Sequence, residues 1–423
     1  MRKVIQVEER PPLGQAIPLS LQHLFAMFGA SVLVPSIFGI NPAIVLFMNG
    51  IGTLLYIFIT KGKAPAFLGS SFAFIAPALL VIGNAALGYR YALGGFVVTG
   101  LILCLFALII YFFGVKWVDV VLPPAAMGPV VALIGLELAG TAASTGGMIL
   151  GADSSVDPKN VIVFIITLAV AVFGSLLFRK FFSVIPILVA IIAGYIVAAL
   201  FGIVDFSQVS AAPVFALPNF QLPLFNLSAI GIIIPATLVV LSEHIGHQLV
   251  TSKVVGRDLI KDPGLHRTLL SDGLSTALSG FTGAVPTTTY GENIGVMAIT
   301  KVYSVWVIGG AAVLSILIAF IGKISYAIMT IPGPVMGGVS MLLYGMIASS
   351  GIRLLVESKV DYSRAKNLAL TSVVFVVGLS GMSVNFGAVQ LKGMALATIV
   401  GMLLSLVFYV LEKYRLTNDQ EQE

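Results

Sequence analysis

Apolar runs of about twenty residues, joined by short polar loops, dominate this chain. A helix of that length spans a hydrocarbon core of about 30 Å. Fourteen segments qualify as candidate spans: 17–37, 41–60, 66–83, 91–113, 118–140, 160–178, 183–203, 227–249, 267–283, 285–300, 302–322, 326–350, 368–387 and 390–411. Composition agrees: 58% of the 423 residues are hydrophobic and 10% charged, against about 25% charged in ordinary soluble domains. With 23 Lys and Arg and 18 Asp and Glu, the chain cannot cover a water-facing surface of its size. A soluble enzyme, a disordered regulator and a nucleic-acid-binding module are therefore excluded. The expected fold is an all-α polytopic membrane protein.

The basic residues set an orientation. With a cytoplasmic N-terminus and fourteen spans, 19 Lys and Arg fall on the cytoplasmic side and four (Arg90, Lys159, Lys323 and Lys392) outside. That is the positive-inside pattern, and an odd number of spans would misplace the later basic loops. Both termini are then cytoplasmic, and the formal net charge of +5 needs no nucleic-acid partner. The first residues, MRKVIQVEERPPLG, are charged but lack a small-residue cleavage site, so no removed signal peptide is expected. The one cysteine, Cys104, lies in an apolar run and reads as a packing residue without metal-ligand spacing.

The two halves resemble each other. LPPAAMGPVVALIGLELA (122–139) aligns with IPGPVMGGVSMLLYGMIA (331–348), matching Pro123 to Pro332, Met127 to Met336 and Gly128 to Gly337. The halves, 17–203 and 227–411, hold seven spans each, and an odd number of spans makes them inverted repeats. The third and tenth spans, AFLGSSFAFIAP and AVPTTTYGENIGV, are broken by Gly, Pro and hydroxyl residues at the same place in each half. Paired interrupted segments in inverted halves point to the binding site of a secondary transporter. Two short antiparallel strands crossing there would satisfy one another's backbone and aim two half-helix N-termini at one spot. No phosphate-binding loop suggests ATP-driven transport.

Carboxylates inside spans are costly, which makes them functional candidates. Glu243 and His247, in SEHIGH, are spaced i, i+4 and share a helix face. The pairing suits proton coupling, since His titrates nearest neutrality; a buried pair that tightens packing is the alternative. Glu292 follows Gly291 in the tenth span, and Ser70, Ser71 and Phe72 occupy the matching break in the third. A planar ligand at the crossing would meet carboxylate acceptors, backbone N–H donors and the faces of Phe72 and Tyr290, unless those rings merely pack. Glu137 reads as structural, with a place on the moving interface as the alternative, and Asp272 reads as a structural pair or cap close to Arg267. His244, about 100° from Glu243 on the helix, reads as a helix contact. Gln22 and His23 are the counterparts of Glu243 and His244 in the first half, expected to hydrogen-bond behind the site.

At these residues the chain closely resembles the bacterial uracil permeases of the nucleobase–ascorbate transporter (nucleobase:cation symporter) family, over nearly its whole length. The resemblance rests on LGSSFAF (68–74), SEHIGH (242–247) and TTTYGENIGVMAITK (287–301). It implies uracil import across the cytoplasmic membrane by proton symport, with no enzymatic activity and no cofactor beyond the coupling proton. It implies a core domain near 17–113 plus 227–322 that moves against a gate domain near 118–203 plus 326–411. Glu243 and Glu292 would bind the nucleobase N–H groups, and the amides of Phe72 and Gly291 its carbonyls. Tyr290 would wall the pocket. His247 would bridge toward the gate and, with Glu243 or Glu292, couple the proton. Ser340 and Tyr344 would face the core from the gate, and the gate domains would form a homodimer. Purine carriers of the family typically have Gln where this chain has Glu292. A xanthine or urate carrier, or an anion exchanger built on the same repeat plan, are the alternatives.

Overall fold

The computed structural model describes residues 4–149, 156–386 and 389–417. Its first elements are α1 (Leu13–Phe38), α2 (Pro42–Ile59), strand β1 (Leu68–Ser70), α3 (Ile75–Ile82), α4 (Tyr89–Phe113), the short α5 (Lys116–Val121), α6 (Pro124–Glu137), α7 (Ala139–Thr145), α8 (Pro158–Leu177), α9 (Pro186–Leu200) and the short α10 (Ser207–Ala211). The second half carries α11 (Leu227–Ile233), α12 (Ala236–Val255), α13 (Leu265–Thr282), strand β2 (Thr287–Thr289), α14 (Gly291–Thr300), α15 (Val305–Ala319), α16 (Gly322–Met329), α17 (Gly333–Glu357), α18 (Ala365–Leu379), the strands β3 (Ser383–Phe386) and β4 (Val389–Lys392), and α19 (Gly393–Lys413). Among the described residues, eight helices are long and apolar enough to cross a membrane. Each of the fourteen segments marked in the sequence contains helix, and the third and tenth contain strand and helix together.

Several boundaries differ from the sequence reading, each for a local reason. Segment 118–140 splits at Pro123-Pro124, where a proline N-cap and a proline at the first helical position start α6 afresh. Segment 326–350 divides likewise, because Thr330-Ile331-Pro332 separates α16 from α17. The matched prolines Pro123 and Pro332 stand at the N-caps of α6 and α17. These two helices pack so closely that a methyl on Gly351 would lie 2.4 Å from the Gly128 carbonyl oxygen. Segment 368–387 is only partly helical: Gly381, at φ 73°, ends the run, and Ser383–Phe386 pairs antiparallel with Val389–Lys392. Consequently α19 begins at Gly393, three residues later than read from hydropathy.

The strand crossing is formed as expected. β1 pairs antiparallel with β2 in the register Leu68 to Thr289, Gly69 to Thr288 and Ser70 to Thr287. Two further bonds extend it, from Ser71 N–H to the Pro286 carbonyl (2.8 Å) and from Tyr290 N–H to the Phe67 carbonyl (3.0 Å). Buried backbone at this depth must find protein partners, and the crossing supplies them. α2 and α13 hold the pair from behind. Leu68 N–H donates to Thr53 Oγ1 (2.9 Å), Thr276 Oγ1 donates to the Thr287 carbonyl (2.8 Å), and Thr287 Oγ1 donates to Ser275 Oγ (2.7 Å).

Candidate functional site

Beyond the crossing, each strand leads into a half-helix: β1 through one 3₁₀ turn (Phe72–Phe74) into α3, and β2 through Tyr290 into α14. Tyr290 is the N-cap of α14, and Glu292 lies in its first turn. The free N–H groups of such a first turn attract acceptor atoms. A cavity of about 420 Å³ opens in front of them, lined by Phe72, Glu243, His247, Tyr290, Gly291 and Glu292 among others. Its volume suits a small ligand. These residues come from the broken third and tenth segments and from α12, so the tertiary fold brings Phe72, Glu243, His247, Tyr290, Gly291 and Glu292 together, while Ser71, Ser340 and Tyr344 do not line the cavity.

Glu243 is 6% exposed, and its Oε2 has no hydrogen-bond partner. His247, one turn on, lines the same cavity, and its Nδ1 lies 3.1 Å from Thr289 Oγ1. The strand hydroxyl, rather than Glu243, is thus the hydrogen-bond partner of this imidazole. Gly291 lies beside the ring, and a methyl there would stand in ordinary contact with it, 3.5 Å from His247 Nε2. Ser71 is fully buried behind the crossing and does not line the cavity. From α17, the Tyr344 ring meets Phe72 edge-on at 5.8 Å, while Ser340 Oγ donates to the Met336 carbonyl in its own helix (2.6 Å).

Asp272 corrects the sequence reading. It does not pair with Arg267, because five residues along a helix place two side chains about 140° apart. Instead its Oδ2 lies 2.9 Å from His244 Nδ1 and accepts from Thr288 Oγ1 (3.2 Å), while His244 Nε2 lies 3.0 Å from Thr268 Oγ1. His244 and Asp272 are both fully buried. The signal lay in α13 itself, where Thr268, Ser271, Asp272, Ser275, Thr276 and Ser279 form a buried polar stripe. On the other side of the site, Asn293 Nδ2 lies 3.1 Å from His23 Nδ1 and donates to the His23 carbonyl (3.2 Å), as expected of a residue behind the pocket.

The cavity is asymmetric. Ser175, Ile299, Ser350 and Arg353 extend its lining toward the end of the molecule that carries Arg179, Lys180 and Lys301. At the opposite end, Ala73, Pro77, Pro235, Glu137, Lys392 and Met394 enclose a cleft of only about 30 Å³. There Glu137 Oε2 accepts the Met394 N–H (2.9 Å) and so caps α19 from the end of α6. Lys392 belongs to β4, which packs on α11.

A family model described as a permease family matches residues 14–387. The chain belongs to that family. The permease is 56% identical over 420 residues to the uracil permease of Paenibacillus larvae, covering 99% of both chains. It is 58% identical over 414 residues to the uracil permease of Escherichia coli strain K12, covering 98% of this chain and 96% of that one. Solved structures share the fold at low identity. The transmembrane domain of a cyanobacterium bicarbonate transporter, BicA, superposes with a TM-score of 0.64 at 14% identity, covering 96% of this chain and 98% of that one. The murine Solute Carrier 26 family member A9 anion transporter, in its inward-facing state, gives 0.71 at 10% identity, covering 95% and 69%. The permease is a multi-pass membrane protein.

Proposed function

We propose that the permease imports uracil across the cytoplasmic membrane by proton symport. The observation that carries the reading is the convergence of Glu243, Glu292 and the first-turn N–H groups of α14 on one cavity. Uracil presents two ring N–H donors and two carbonyl acceptors in one plane. The carboxylates take the donors, the amides of Phe72 and Gly291 take the carbonyls, and the Phe72 and Tyr290 rings flank the plane. Near-full-length relatives named uracil permease support the choice of nucleobase. Two carboxylates facing one poorly solvated cavity are costly together, so loading a proton with the substrate lowers the charge that must move. Glu243, His247 and Glu292 are the groups placed to hold it.

In this reading fourteen spans form two inverted repeats, with both termini in the cytoplasm. The bodies 17–113 with 227–322 and 118–203 with 326–411 act as core and gate, and sliding of one against the other exposes the site alternately. The cavity opens toward the basic loops, which by the positive-inside rule corresponds to an inward-facing state. Dimerisation through the gate helices belongs to the same reading. Anion exchange is the competing function suggested by fold, but two carboxylates at the site disfavour it. Radiolabelled uracil uptake into proteoliposomes separates the readings, with xanthine, thymine and bicarbonate as competitors and with or without an imposed proton gradient. Uptake of uracil that collapses with the gradient supports the proposal. Uptake indifferent to the gradient refutes the coupling, and competition by xanthine alone refutes the substrate.

A further inference from the structure

Tyr290 is the point at which strand, half-helix and cavity meet, and its side chain is held from behind by residues that never reach the cavity. Its ring lies against the bare Cα of Gly69 on β1. A methyl on Gly69 would stand 2.2 Å from Tyr290 Cζ, 2.3 Å from Cε2 and 2.8 Å from Cε1, so the hydroxyl end of the ring fills the space of a missing side chain. The phenol oxygen lies 3.4 Å from Ser31 Oγ on α1, and Asn49 Nδ2 on α2 donates to the same Ser31 oxygen (3.0 Å). Ser31 and Asn49 are fully buried, and neither they nor Gly69 line the cavity. The seat itself is firmly set, because Thr53 bridges α2 to β1, donating to the Asn49 carbonyl (2.8 Å) and accepting from Leu68 N–H (2.9 Å).

We propose that Gly69, Ser31 and Asn49 are positioning residues for the substrate pocket, acting through the Tyr290 side chain. Tyr290 is fastened twice: its backbone N–H to the Phe67 carbonyl and its ring to this seat. With both anchors in place, the N-terminus of α14 and the Tyr290 ring hold one geometry toward the cavity. Releasing the ring leaves the strand crossing intact and loosens only the wall and the first-turn N–H groups that face the ligand. The proposal rests on the uracil reading above.

The test is a set of double-mutant cycles on the full-length purified protein, read by calorimetric titration with uracil and by thermal melting. Gly69→Ala should weaken uracil binding about tenfold or more by displacing the ring. In a Tyr290→Ala background the same change should alter affinity by less than about twofold, because the methyl then enters vacated space. Ser31→Ala and Asn49→Ala, which add no bulk, should each cost about threefold to tenfold alone. In a Tyr290→Phe background they should cost less than about twofold. Equal losses in both backgrounds overturn the proposal. Should Gly69→Ala fail to fold, the Ser31 and Asn49 cycles decide. If the unmutated protein binds no uracil, the substrate reading falls and this proposal with it; if it binds uracil and the effects add, only the positioning role falls.

Discussion

Glu243 offers a sharp separation of binding from stability. Its Oε2 has no protein donor, so truncation strands no partner inside the fold. The side chain is nonetheless 94% removed from solvent and faces the cavity beside Glu292, so a bound N–H donor would meet it with little competing water. A hydrogen bond to a charged group contributes about 1.5–3 kcal/mol net, or roughly tenfold to 150-fold in Kd. Glu243→Ala should therefore weaken uracil binding by at least about tenfold while lowering the melting temperature of the unliganded protein little, if at all. Glu243→Gln keeps one carbonyl acceptor and should fall between. The assay is calorimetric titration beside a melting curve in the same detergent. A Glu243→Ala protein that binds uracil within about threefold of the unmutated one would refute the pocket assignment. So would one that loses binding only because it has lost its fold.

Four further outcomes follow from other contacts. Glu137→Ala removes the acceptor for Met394 N–H at the start of α19 and should cost about 1–2 kcal/mol of stability, seen as a lower melting temperature. Asp272→Ala leaves His244 and Thr288 without their buried partner and should cost about 3–5 kcal/mol; Asp272→Asn, which keeps an acceptor, should melt between the two. On the proposed symport reading, His247→Ala should lessen the dependence of uracil uptake on an imposed proton gradient, and a dependence left intact would move the coupling role to Glu292. Finally, the paired Arg257 guanidinium holds the Glu8 carboxyl below its ordinary value. A lowered carboxyl pKa contributes above the unfolded value and loses that contribution as pH falls through the folded one. Amide exchange at Ile5, Tyr303 and Val305, whose N–H groups donate to the Lys301, Ile5 and Val7 carbonyls, should therefore accelerate below about pH 4 relative to the helices.

That N-terminal segment shows what the sequence did not reveal. Residues 4–9 read only as part of a charged segment before the first span, yet Ile5 and Val7 pair with the loop after α14, Val7 is fully buried, and Ser304 Oγ donates to the Glu9 carbonyl (2.6 Å). Its hydropathy carries no trace of the partner, which lies almost 300 residues away. The hairpin of β3 and β4 was missed for a related reason. Val384 and Leu391 are apolar enough to prolong a hydropathy window, and only Gly381 and the antiparallel pairing of two neighbouring strands end the helix. Asp272 was placed on a helix correctly but given the wrong partner, because helix periodicity says which face a residue occupies and nothing of which helix lies opposite.

By itself the sequence determined the membrane class, the broken third and tenth segments, and the residues gathered at the cavity. Each rests on a local property: apolar run length against bilayer thickness, Gly, Pro and hydroxyl interruptions, and the cost of a carboxylate in hydrocarbon. Tertiary structure alone decided which polar groups meet. It set His247 on Thr289 and Asp272 on His244, placed the Tyr290 ring over Gly69, and opened a wide cavity before the crossing apart from a narrow cleft beside Glu137. The physical reason is the reach of these interactions. A hydrogen bond forms over about 3 Å, and side chains arrive within that distance only when whole helices pack.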